Sequence, residues 1–265
     1  MTSTRPEPDV RRYYTEVYDE AGRLERSPQG RLEAIRTREL LSRLLPPPPA
    51  SVLDLGGGPG AYAGWLADAG HPVHLVDLVP AHAAAARRDH PVVSASVGDA
   101  RWLPFADASV DAAVLLGPLY HLTARADRVA ALREARRVTR PGGPVLAAAI
   151  SRHAPLIDLI GKGRVDDLTR PALMASLRTG LNDSVNGFTT AYFHRPEELA
   201  DEFTAAGLAE PVVYGIEGPM WPVLNAVGVD EESAMFRESV GCARAFETDP
   251  AVLGASSHLL AVAYA

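Results

Sequence analysis

The chain has 265 residues, of which 47% are hydrophobic and 22% charged, with a formal net charge of −7. That composition suits a globular protein and excludes disorder over most of the length, because apolar surface is ample to offset chain entropy. No stretch approaches the ~20 apolar residues of a bilayer helix, so no membrane partner is expected. The acidic balance and the lack of a Lys/Arg-dense block argue against nucleic acid, and Lys occurs only at Lys162. The single cysteine, Cys242, excludes an internal disulfide and any cysteine-based metal cage. The first residues, MTSTRPEPDVRRYYTEVYDEAGR, contain no apolar core of a secretory signal, and a cytoplasmic setting is expected. At roughly 100–200 residues per domain, the length fits one large domain or a domain with an insertion.

The first 50 residues read as a helical segment. Ser27-Pro28 is a helix-start signal, and Leu32, Ile35, Leu40, Leu41, Leu44 and Leu45 fall roughly on one helical face. Pro46 to Pro49 stop that helix as a short, stiff polyproline segment, which sets a boundary. Apolar runs then alternate with helices. Expected strands are 51–55, 73–77, 92–97, 110–116 and 145–150, with helices at 61–69, 80–88 and 126–139. That alternation means βαβ units and a parallel sheet covered on both faces. From 151 to 194 it lapses, over far more than the 2–6 residues of an ordinary connection. This insertion follows a parallel strand, where open α/β sheets bind ligands, and reads as a helical cap. A helix at 195–206, a strand at 210–216, a second helical insertion at 219–248 and a last strand at 259–264 complete the chain. The expected fold is α/β, a Rossmann-like, doubly wound, mostly parallel seven-stranded sheet. Residues 51–265 form the domain, and residues 1–50 close its site.

The strongest site signal is Asp54-Leu55-Gly56-Gly57-Gly58-Pro59-Gly60, directly after a strand and before a helix. Glycines admit positive φ and let a ligand approach without a Cβ in the way. The helix start behind them supplies unpaired N–H groups and a positive dipole end. Asp77 ends the next strand, where a carboxylate can accept two hydrogen bonds from a ribose diol. Together these features point to an adenosine-containing ligand. Gly56-x-Gly58-x-x-Ala61 also fits the nicotinamide-dinucleotide fingerprint, so an NAD(P)-dependent oxidoreductase remains the alternative. Asp54 before the loop, Pro59 within it, and Gly98-Asp99-Ala100 after the third strand point elsewhere.

Five stretches in order, VLDLGGGPG (52–60), VDL with Asp77, GDARWLPF (98–105), VDAAVLLGPLYHL (110–122) and LREARRVTRPGG (132–143), resemble the successive motifs of class I S-adenosylmethionine-dependent methyltransferases. The resemblance runs from Ser51 to about Ile150. It implies S-adenosylmethionine as cofactor and transfer of its methyl group to an acceptor. By this resemblance Gly56, Gly58 and Gly60 pack under the methionine and ribose. Asp54 orients the loop or receives the cofactor ammonium. Asp77, with Leu78 beside it, binds the ribose hydroxyls. Asp99 and Ala100 meet the adenine, and Leu116 and Gly117 border the methionine part. The Asn/Asp-Pro-Pro-Tyr signature of methyltransferases acting on nucleobase or glutamine nitrogen is replaced by Gly117-Pro118-Leu119-Tyr120-His121-Leu122, which resembles a subgroup acting on small molecules.

Methyl transfer is an in-line displacement, and most of its catalysis can come from holding the acceptor in line and excluding water. His121, with Tyr120 beside it, follows the fourth strand and is the candidate base or substrate-binding group. Tyr18 and Arg36 are the choices for closing the site, Arg36 on the methionine carboxylate. No pair of histidines forms a convincing metal site with a carboxylate, so no metal is expected. The reading is a cytoplasmic methyltransferase acting by direct displacement on a small organic acceptor at O, N, S or C, as a monomer or homodimer. A non-catalytic protein that binds S-adenosylmethionine is a second alternative.

Overall fold

The structure is a computed structural model that describes residues 7–14, 20, 22–182 and 188–265. Its centre is a seven-stranded sheet of β1 (Val52–Leu55), β2 (Val73–Asp77), β3 (Ser94–Val97), β4 (Ala112–Leu115), β5 (Pro144–Ile150), β8 (Val212–Gly215) and β9 (His258–Tyr264). The order is β3-β2-β1-β4-β5-β9-β8. The pairings among β1 to β5 are parallel, whereas β9 runs antiparallel between β5 and β8. A short antiparallel ribbon of β6 (Leu181–Asn182) and β7 (Ala191–Tyr192) lies inside the first insertion, where only helices were expected.

The sheet is held from both sides because side chains alternate between its faces. Leu53, Ala113, Leu115, Ala147, Leu259 and Ala261 join one core, against Leu132 and Ala135 of α5 (Arg125–Val138) and Leu199 and Phe203 of α8 (Pro196–Ala205). Val52, Ala112, Val114, Leu146, Leu260 and Val262 join the other. Their partners are Leu40 and Leu41 of α2 (Pro28–Leu44), Ala63 and Leu66 of α3 (Ala61–Asp68), and Ala86 of α4 (Pro80–Asp89). The strands are therefore apolar on both faces, as buried parallel strands must be. Ser27 caps α2 by accepting from the Gly30 amide at 3.0 Å, and Pro28 occupies the first turn. Pro46 to Pro49 form a turn with a cis Pro48–Pro49 peptide, not a straight polyproline segment. Asp111 ties β4 to the start of β1 by accepting from the amide and hydroxyl of Ser51.

The first insertion carries α6 (Ala154–Gly161), α7 (Arg170–Thr179) and the β6–β7 ribbon. Buried charge anchors it. Arg128 of α5 forks onto Glu202 of α8 and lies 3.7 Å from the Tyr192 ring, while His194 contacts the same Glu202. The second insertion, α9 (Trp221–Val227) and α10 (Ala234–Ala245), packs on α2 around Leu32, Trp221, Leu224 and Phe236. Trp221 is thus core, and its indole donates to the Ala255 carbonyl. None of the described helices is long and apolar enough to cross a membrane.

Candidate active site

Strand order reverses between β1 and β4, which is where open α/β sheets bind ligands. A cavity of about 370 Å³ lies there, within the roughly 300–1,000 Å³ of small-molecule sites. Its floor and walls come from the turns after β1 to β4, and its other side from α1 (Glu7–Arg12), residues 20 and 22–25, and α2. Ten of the expected residues line it: Gly56, Gly58, Asp77, Leu78, Asp99, Ala100, Leu116, Gly117, Tyr120 and His121.

The glycine loop is built for close approach. Gly56 has φ +68°, and a Cβ there would stand 2.8 Å from Pro118. Gly58 has φ +57° and donates its amide to Asp77 Oδ2 at 2.9 Å. Asp77 Oδ1 accepts from the Val79 amide at 2.8 Å and lies 3.2 Å from His82 Nδ1. One carboxylate thus fixes two loops and keeps acceptor capacity on Oδ2. Asp99 is engaged by the amide and guanidinium of Arg101, which makes it the anchor of its own turn as well as a wall.

Asp54 lies under the loop rather than on the cavity wall. Its Oδ2 is 2.3 Å from where a Cβ of Gly57 would be. Both of its oxygens are buried without a partner. Burial, reinforced by Asp77, pushes its carboxyl up to about 7. An orphaned buried carboxylate beneath a glycine cradle fits a ligand that brings an ammonium group.

His121 sits on a 3₁₀ turn, Leu119–His121, after β4. Its Nε2 is 3.0 Å from Tyr14 Oη, and its Nδ1 is shut from solvent without a partner. Aromatic rings surround it: Tyr120 at 4.5 Å, Tyr14 edge-on at 5.4 Å and Phe188 stacked at 6.2 Å. Burial lowers its pKa to about 4, against the pull of Asp77, so the imidazole is neutral at pH 7. Burial likewise raises the Tyr120 phenol.

Two expectations fall elsewhere, and a third lies outside the described residues. Arg36 does not line the cavity. It is buried on the opposite side of α2, contacting the Ile216 carbonyl and ion-pairing with Glu39 and Glu247. Two other α2 guanidinium groups line the cavity, Arg31 and Arg38, and the buried Nε of Arg38 has no hydrogen-bond partner. Gly60 starts α3 with φ +99° and faces His90 instead of the cavity. Tyr18 lies outside the described residues.

Sequence reasoning missed Tyr14 and His82 as lining residues, and His82 is buried against Asp77. It also missed a charge cluster beneath the site. Arg23 forks onto Glu33 with both contacts at 2.7 Å, and His258 sits 2.5 Å from Glu217 and 3.7 Å from Glu33. Glu33, Glu217 and His258 bring ligand atoms within 4.8 Å of one another, so a histidine does meet two carboxylates. Those carboxylates already pair with Arg23 and protonated His258, two cations against two anions. Spacing does show Arg38: Arg31, Ala34, Ile35 and Arg38 share one helical face, and Arg36 does not. Nothing in the sequence places His258 next to Glu33, which is far away in the chain.

Residues 52–143 match a family model described as a methyltransferase domain. The demethylmenaquinone methyltransferase of Beutenbergia cavernae is 37% identical over 180 residues, which are 67% of this chain and 70% of that protein. This chain belongs to the class I S-adenosylmethionine-dependent methyltransferases. The methyltransferase is also 36% identical over 124 residues to the ubiquinone/menaquinone biosynthesis C-methyltransferase UbiE of Caulobacter vibrioides, covering 42% of this chain and about half (48%) of that one. In fold it is similar to a methyltransferase from Thermotoga maritima described as a possible histamine N-methyltransferase. The TM-score is 0.62 at 19% identity, over 97% of this chain and 98% of that one. It is likewise similar to the geranyl diphosphate C-methyltransferase of Streptomyces coelicolor A3(2), with TM-score 0.60 at 15% identity, over 100% and 99% of the two chains. None of these relatives is a nicotinamide enzyme, and that alternative has no support. The methyltransferase uses S-adenosylmethionine.

Proposed function

We propose that this methyltransferase acts on a small, largely apolar aromatic molecule that carries an acidic hydroxyl, with His121 accepting its proton. The observation that carries this reading is the neutral His121 on the cavity wall, ringed by Tyr14, Tyr120 and Phe188. Flat apolar walls favour a planar ring, and edge-to-face contacts add to its burial. The names of two relatives, a demethylmenaquinone methyltransferase and a ubiquinone/menaquinone biosynthesis C-methyltransferase, are consistent with such an acceptor.

Bound S-adenosylmethionine supplies a methyl group on a positive sulfur, ready for displacement. The chain does the rest. Gly56 and Gly58 give the cofactor room, Asp77 holds the ribose, and Asp54, beneath the loop with unpaired oxygens, orients the loop or meets the ammonium through water. Arg38 replaces Arg36 as the group for the methionine carboxylate. The 1–50 segment closes the site from the α1 and α2 side, and Tyr120 walls the acceptor. As the acceptor takes the methyl group its hydroxyl becomes strongly acidic, so even a weakly basic imidazole can remove the proton. A phenol that is methylated on ring carbon needs the same base.

The test is transfer of labelled methyl to a panel of phenols, quinols and amines. Turnover is expected with hydroxylated aromatics, and His121→Ala lowers it by about 10²–10⁴-fold while affinity for S-adenosylhomocysteine holds. Turnover that is indifferent to His121→Ala removes the base role, and turnover with amines alone removes the acceptor class.

A further inference from the structure

Arg128 does more than anchor the first insertion. It lies buried in the first turn of α5. An arginine carries five N–H donors in a fixed planar fork. Nε and Nη2 face Glu202, with contacts of 2.7 to 3.0 Å, and an ion pair needs no more than these. Nη1 reaches the other way and donates to the carbonyls of Leu122 and Thr123, each at 2.8 Å. Those two residues lead out of the 3₁₀ turn that carries Tyr120 and His121, and Leu122 itself lines the cavity.

The turn is gripped at both ends. At its entry a Cβ on Gly117 would stand 2.7 Å from the Gly56 carbonyl, so the chain there lies close on the glycine loop. The turn closes on itself through the His121 amide to the Pro118 carbonyl and the Leu122 amide to the Leu119 carbonyl. At its exit Arg128 ties it to α5 and α8. The Tyr192 ring of β7 lies on the guanidinium at 3.7 Å, and β7 packs against the same turn. The Tyr192 hydroxyl is fixed in its place by Arg152 and Glu198, each at 3.2 Å. A backbone carbonyl away from water needs a donor. A lysine at this position could serve Glu202 or the two carbonyls, not both.

We propose that Arg128 is a positioning residue: it fixes the exit of the turn bearing Tyr120 and His121 and ties that wall to the β6–β7 ribbon, so that placement of the acceptor depends on it and cofactor binding does not. The inference rests on the reading of His121 as part of the acceptor wall. In a displacement, alignment of the reacting atoms supplies much of the rate, and a misplacement of about 1 Å can cost ~100-fold.

Arg128→Lys keeps a cation for Glu202 and gives up the carbonyls. Thermal unfolding checks the fold, and titration with S-adenosylhomocysteine counts the binding-competent sites. Turnover per such site is expected to fall about 10–100-fold, with affinity for S-adenosylhomocysteine as in the parent. The His121 ring resonances of the free protein read the turn without any turnover. They are expected to move in the variant, while those of His82, beside Asp77, hold. Parent-like turnover per binding site overturns the proposal, and so do unmoved His121 resonances; either result leaves Arg128 and Glu202 as a stabilising pair. Should Arg128→Lys fail to fold, Arg128→Met with Glu202→Met removes both buried charges, a change often neutral for stability, and carries the same two expectations and the same two refutations. Failure of the His121 reading is seen separately, as parent turnover in His121→Ala, and the resonance readout does not depend on it.

Discussion

Asp54 holds two buried oxygens that nothing in the free protein satisfies. Its folded pKa of about 7 stands above the ~3.9 of an unfolded aspartate. Between those values the folded state holds a proton that the unfolded chain releases. The associated stability is complete below about pH 4 and is lost as pH rises to about 7, on the order of 4 kcal/mol. Asp54→Asn should flatten that limb, read as the urea midpoint of the free protein between pH 4.5 and 8. A variant with the parent's slope would assign the proton elsewhere. Gly56, Gly58, Asp77, Asp99 and His121 were legible in sequence because each lies at or just past a strand end, and strand ends converge at one edge of a parallel sheet. Arg36 was misread because a shift of two residues turns a helical side chain by about 200°. Tyr14 was missed, since no local pattern aims a tyrosine at a histidine 107 positions on.

Between elements, the buried pairs matter more than any single contact. Arg23 clasps Glu33 of α2, and His258 at the start of β9 meets Glu33 and Glu217. Burial alone would lower the His258 pKa, but Glu33 and Glu217 outweigh it and raise it to about 9. Burial would raise Glu33, but Arg23 and His258 hold it down at about 2. With an unfolded histidine near 6.5, the His258 contribution is full below about pH 6.5 and is lost as pH rises through about 9. His258→Ala leaves two carboxylates short of a partner and should cost about 3–5 kcal/mol at pH 6. The gap between parent and variant should narrow by pH 9.5, and an equal gap in denaturant unfolding at both values would show that charge is not the cause. The element boundaries themselves were mostly readable: Ser27-Pro28 starts α2, and glycine or proline closes most units. The β6–β7 ribbon was not, because two-residue strands leave no alternation to detect, and their pairing depends on where Arg152 and Glu198 hold the insertion.

At the scale of the molecule, ligand binding and folding are linked. With 1 mM S-adenosylhomocysteine and a dissociation constant of ~10 μM, stability should rise by about 2.7 kcal/mol. For a domain of this size that is a melting shift of roughly 5–10 °C. NADH should give none, and a shift with NADH alone would contradict the reading of the glycine loop. The sheet order itself was not in the sequence. Seven apolar runs say that strands exist, but only tertiary packing sets β9 antiparallel between β5 and β8.

That inserted strand imposes a schedule on synthesis. The 107 residues from 151 to 257 separate β5 from the strand that covers its outer edge. At about 5–20 residues per second the ribosome takes roughly 5–20 s to bridge that interval. Through those seconds β1 to β5 can already be assembled, while β5 presents Ala147, Ala148, Ala149 and Ile150 as an open, apolar hydrogen-bonding rim. Strand β8 emerges earlier but has no place beside β5, because the position belongs to β9. The nascent chain is therefore most exposed to edge-to-edge aggregation late in translation, when five of the seven sheet strands can already stand beside a vacant slot.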